Sequence, residues 1–86
     1  MPEISRFYGI VVKMFFREHN PPHFHVSYGD ETAQISISDA KIINGTVPDR
    51  VLRLISEWVN LHRGELYENW ELCIKNKAPA SIKPLE

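Results

Sequence analysis

The chain has 86 residues, with 10 Lys and Arg against 11 Asp and Glu, a formal net charge of −1 and 43% hydrophobic residues. That is the length of one domain, with apolar residues enough for a core and no global basic surplus of the kind that marks nucleic-acid binders. A single cysteine, Cys73, excludes an internal disulfide and a cysteine-based zinc finger. The N-terminus lacks a signal-peptide layout and no apolar run approaches the ~20 residues of a membrane span, so a reducing cytoplasm is the expected setting, without membrane association. A domain this small buries only ~60% of its unfolded surface, which leaves room for a partner or a homo-oligomer.

After a short lead-in, residues 6–16 alternate like a strand. Tyr8, Ile10, Val12, Met14 and Phe16 form an apolar face, while Phe7, Gly9, Val11, Lys13, Phe15 and Arg17 form a mixed one. Glu18 to Pro22 reads as a turn, because proline pushes itself and its predecessor out of helical geometry. A second strand follows over 23–28, with Phe24, Val26 and Tyr28 on one face and His23, His25 and Ser27 on the other. Gly29-Asp30 is a hairpin signal, and the third strand, 31–38, alternates Ala33, Ile35 and Ile37 with polar residues. The hairpin predicts a register in which Tyr28 faces Glu31, Val26 faces Ala33, Phe24 faces Ile35, His25 faces Gln34 and His23 faces Ser36. Returning the first strand across the Pro-Pro turn sets Phe16 near Phe24 and Met14 near Val26.

Lys41-Ile42-Ile43 is a candidate short fourth strand, and Asn44-Gly45 reads as a turn. Thr46-Val47-Pro48-Asp49 predicts a helix start with Thr46 as cap. Amphipathic spacing then predicts helix over 47–62 and again over 65–76, with a break or bend at His62-Arg63-Gly64. The stripe Ile55, Val59, His62, Leu66, Trp70, Cys73 keeps its phase through Gly64, so one kinked helix satisfies the pattern too. A straight one of ~40 Å would overhang so small a domain. Residues 78–86 form an extended tail that Ile82 and Leu85 can dock or that can pair with a sheet edge. The expected fold is α+β: an antiparallel meander of three or four strands, helices on the face bearing Ile10, Val12, Phe24, Val26, Ile35 and Ile37, and the other face open.

The histidines set the functional question. Three of four fall in His19-Asn20-Pro21-Pro22-His23-Phe24-His25. His23 and His25, two apart on a strand, point their rings the same way, outward from the core. With His19 folded back they supply three metal ligands, zinc being the natural ion, and Glu18 is a candidate fourth. The same imidazoles suit acid and base chemistry near neutral pH. The structural alternative is that they hydrogen-bond to Ser36 and Gln34 and stiffen the hairpin. Lys13, Phe15 and Arg17 would lie beside them, with Gln34 opposite. That mixture of cations, imidazoles and an aromatic suits phosphate and base contacts, and His23, His25 and Arg17 could serve as acid, base and cation in metal-free RNA cleavage. The same face, or the edge of the third strand, could receive a protein by strand addition. His62, Trp58 and Trp70 read as core or core edge, Arg63, Glu65, Glu68 and Glu71 as a solvated helix face, and Cys73 as inert packing.

Ile4-Ser5-Arg6-Phe7-Tyr8-Gly9-Ile10, the block His19 to Val26, Glu57-Trp58, His62-Arg63, Glu68-Asn69-Trp70-Glu71 and Ile82-Lys83-Pro84-Leu85 together resemble the bacterial domain-of-unknown-function family 4160. The resemblance carries over no catalytic residues. It implies one half of a two-gene unit whose other half belongs to domain-of-unknown-function family 2442, a pairing similar to type II toxin–antitoxin modules. The expectations are a toxin-like component acting through a small partner protein encoded nearby, with RNA as a target, and, as alternatives, a metal-independent RNase or a metal-binding or structural module.

Overall fold

The computed structural model describes residues 2–86. Five antiparallel strands form one meander: β1 (Glu3–Phe7), β2 (Ile10–Lys13), β3 (His23–Tyr28), β4 (Glu31–Ser36) and β5 (Ile42–Gly45). A single helix, α1 (Asp49–Ile74), crosses one face. The class is α+β, with more strands than the sequence predicts and, of its two helical alternatives, the single kinked helix.

The stretch read as one strand is a hairpin. Tyr8 and Gly9 have φ of +50° and +79° and turn the chain between β1 and β2, the geometry of a two-residue type I′ turn, which glycine accommodates. Phe7 pairs with Ile10, so both face the core although one is odd and one even. A two-residue turn breaks the period-two count, and Tyr8, placed inward by that count, is 56% exposed. Beyond Lys13 the chain leaves the sheet. Phe16 is therefore surface-exposed, and Val12 rather than Met14 faces Val26, with Lys13 opposite His25. The expected register is displaced by two residues, an even number, so the faces survive. The β3–β4 register matches the hairpin prediction at every pair, from His23 with Ser36 to Tyr28 with Glu31.

β4 ends at Ser36, short of the predicted Ser38. The candidate fourth strand exists as β5 but runs later, and Asn44-Gly45 lies inside it rather than in a turn. Gly45 sits at φ +82°, and a Cβ there would come within 2.3 Å of the Thr32 carbonyl oxygen. Close backbone approach, not chain reversal, is what the glycine provides.

Pro48 occupies the N-cap of α1 and no side chain caps it, so Thr46 does not play the expected role. Asp49 in the first turn complements the helix dipole. Val51, Ile55, Trp58, Val59, Leu66, Trp70 and Cys73 form its buried stripe. They meet Ile10, Val12, Phe24, Val26, Ile35 and Ile37, all fully buried, on the predicted face. At about 1.5 Å per residue 26 straight helical residues exceed the molecule's longest dimension, 33 Å. The helix bends instead at His62, whose φ of −128° and ψ of 20° are not helical. Arg63, expected in solvent, donates to the Ile37 carbonyl at 2.9 Å and ties the bend to the sheet. At the C-terminus Asn76 takes φ +61° and the Lys77 N–H returns to the Leu72 carbonyl at 2.8 Å, a Schellman-type stop.

The tail docks as expected. The Ile82 side chain is buried and its N–H donates to the Ile4 carbonyl at 2.8 Å, on the outer edge of β1. Trp58 Nε1 donates to the Lys83 carbonyl at 2.8 Å. The Asn69 side chain bonds both ways with the Ala80 backbone, each at 2.9 Å.

Candidate functional site

The loop over 14–22 folds against the end of the sheet. Its anchors are backbone bonds: Met14 N–H to the Pro2 carbonyl, 3.1 Å, and Arg17 N–H to the Cys73 carbonyl at the end of α1, 3.3 Å. Arg17 adopts φ +56° and the Asn20–Pro21 bond is cis. The loop rejoins the sheet where the Ile37 N–H donates to the Pro22 carbonyl at 3.1 Å. This path carries Glu18 over the first residues of β3.

His23 is not displayed outward, as the strand alternation predicts, but buried: its side chain is 7% exposed. It opens β3 at the sheet's end, where the returning loop covers it and the Trp70 ring lies 5.3 Å from its own, centroid to centroid. Its Nδ1 is 2.8 Å from the Pro21 carbonyl. A carbonyl only accepts, so Nδ1 carries the proton and a neutral ring leaves its lone pair on Nε2. That Nε2 is buried without a hydrogen-bond partner. It points toward Glu18, whose Oε1 is 3.4 Å away. The same Oε1 accepts a short hydrogen bond from His25 Nε2. Glu18, His23 and His25 thus bring three donor atoms within 4.8 Å of one another. Ser36, which the structural alternative assigned to His23, bonds to Ser38 Oγ at 3.0 Å instead.

The expected neighbours are only partly assembled. Phe15 packs its ring against His25 at 4.2 Å, edge to face. Lys13 and Gln34 flank His25 on the adjacent strands. Arg17 is exposed and held by its backbone, and His19 is exposed on the cluster's rim. His19 is outside the three-donor set among the described residues, and Glu18 stands where the sequence reading put His19. A cavity of about 230 Å³ adjoins the cluster, lined by Glu18, His19, Asn20, Pro21, His23, Gln34 and Ile43. Burial, then the charge of Glu18, pushes the Cys73 thiol above its ordinary value, keeping it protonated and unreactive.

Sequence reasoning missed the central position of Glu18 and the ring of Trp70 over His23. Glu18 lay within the same turn and was visible. Trp70 is 47 positions away on α1, and its contact depends on the bend at His62, which no local pattern places in space. His62 itself is half-buried and bonds to Glu65 at 2.6 Å through Nδ1, away from the other histidines. Chemically, one carboxylate and two imidazoles can hold a cation or pass a proton between Glu18 and His25.

No curated protein and no solved structure matches the chain. No helix among the described residues is long and apolar enough to cross a membrane. A family model described as a domain of unknown function, DUF4160, matches residues 9–71, from Gly9 through β2, the histidine block, β3, β4, β5 and most of α1. With well over half its length inside that match, the chain belongs to the DUF4160 family.

Proposed function

We propose that this chain is the toxin-like half of a two-protein module of toxin–antitoxin type, and that it works by accepting an extended segment of a small partner protein along β5. The observation that carries this reading is the asymmetry of the sheet's two edges. The β1 edge is covered by the chain's own tail, through the Ile82–Ile4 backbone bond. β5 has no such cover among the described residues: Ile43, Asn44 and Gly45 are exposed, Ile43 to 44%. A free edge with an apolar side chain is a template for another strand unless it is blunted, and β5 itself holds no charge or proline. The tail against β1 is an intramolecular example of the segment β5 would accept.

A metal-independent RNase is the weaker reading. It needs an acid, a base and a cation at one phosphate. The Nδ1 of His23 is committed to Pro21, its Nε2 is buried, and Arg17 does not line the cavity beside the cluster. RNA remains a target the assembled module could contact through Lys13, Phe15, His25 and Gln34.

Co-expression with the product of the adjacent gene tests the pairing. A stable complex is expected, and Ile43→Lys should disrupt it while leaving the far-ultraviolet circular dichroism unchanged. If the chain elutes at the same volume with and without that product, the reading fails. A complex indifferent to Ile43→Lys removes β5 as its site.

A further inference from the structure

We infer that Glu18, His23 and His25 form a binding site for one divalent first-row transition ion, zinc by preference. The proposal goes beyond the pairing reading and does not depend on it.

Three observations converge. First, His23 Nε2 is a lone-pair donor buried without a partner. Leaving a buried polar atom unpaired is costly, and a metal ion is a partner that would remove that cost. Second, the other ring nitrogen of His23 donates to a backbone carbonyl. That is the outer-sphere bond that fixes the tautomer and aims the ring of metal-binding histidines. Third, one of the three spacings fits directly. Ligands about 2.0–2.1 Å from a tetrahedral zinc lie roughly 3.3–3.5 Å apart, and His23 Nε2 is 3.4 Å from Glu18 Oε1. The same Glu18 Oε1 is bonded to His25 Nε2, and all three donor atoms lie within 4.8 Å of one another.

The donor set selects the ion. Two imidazoles and one carboxylate suit zinc and its neighbours, while calcium and magnesium favour all-oxygen surroundings. Cys73 stays out, since its sulfur is not among the donor atoms the cluster brings together. Three protein ligands leave a fourth position. The adjoining cavity, lined by His19, Asn20 and Gln34, gives room there for water or the His19 imidazole. Phe15 and Trp70 wall the two rings with aromatic surface, which limits solvent access to the ion.

The test is titration of the tag-free, metal-stripped full chain with zinc by calorimetry, and with cobalt by visible absorption. One ion per chain is expected, with the strong d–d bands of tetrahedral cobalt and a raised Tm. Glu18→Ala and His25→Ala, at partly exposed positions, should each weaken zinc binding at least about tenfold. Both should retain the wild-type circular dichroism, so the result does not hinge on the buried His23. Absence of stoichiometric binding would overturn the proposal. So would zinc binding of equal strength in wild type and both variants, which would mark it as adventitious.

Discussion

His23 and His25 are neighbours in sequence with opposite duties. His23 is held between the Pro21 carbonyl and the Trp70 ring, whereas His25 is only partly covered by Phe15 and Glu18. Without added metal, His23→Ala should cost about 1–3 kcal/mol of stability through its lost hydrogen bond and packing. His25→Ala should cost about 1 kcal/mol or less, and urea unfolding of both variants measures the difference. Two glycines make a second pair. At Gly45 an added Cβ meets the Thr32 backbone at 2.3 Å, with φ +82° besides, so Gly45→Ala should cost upwards of about 2 kcal/mol. At Gly64 a Cβ meets nothing within 4 Å and the backbone is helical, so Gly64→Ala should add about 0.5–1 kcal/mol. Cys73 is buried with its thiol raised above the ordinary value. Iodoacetamide should label it slowly in the native chain and rapidly in urea.

At the scale of elements, the segments whose identity depended on local pattern were legible and those that depended on a crossing were not. Gly29-Asp30 with clean alternation on both sides set the β3–β4 register pair by pair, because a two-residue turn leaves no slack. The β2–β3 connection is longer, and its register fell two residues away from expectation. Tyr8-Gly9 is hidden in the sequence because apolar residues on both sides keep a period-two count running through a turn. The buried face of α1 was readable, and its bend falls at the first residue of the expected break. The docked tail is legible only in outline, its partners Asn69, Trp58 and Ile4 being scattered along the chain. Asn69 alone makes two bonds to Ala80. Asn69→Ala should therefore release the tail, at a cost of about 1–3 kcal/mol. Proteolysis near residue 80 should accelerate, and the uncovered β1 edge should raise the tendency to self-associate.

For the molecule as a whole, one sheet face is spent on the helix and one sheet edge on the tail. What remains is the second face, with Lys13, His25 and Gln34, and β5 beside the cavity that reaches Glu18 and His23. The candidate metal cluster and the free edge are thus contiguous through Ile43, which belongs to both β5 and that cavity. On the proposed pairing, a partner strand on β5 would lie beside Ile43 and so next to that cavity. Homodimerisation through β5 is the competing outcome, distinguished by mass in solution of the chain alone. Amide hydrogen exchange, with and without the co-expressed partner, tests the central claim most directly. Slowed exchange across Ile42–Gly45, with the β1 amides unchanged, is the predicted result. Protection confined to the outer surface of α1, with β5 exchanging as in the free chain, would contradict it.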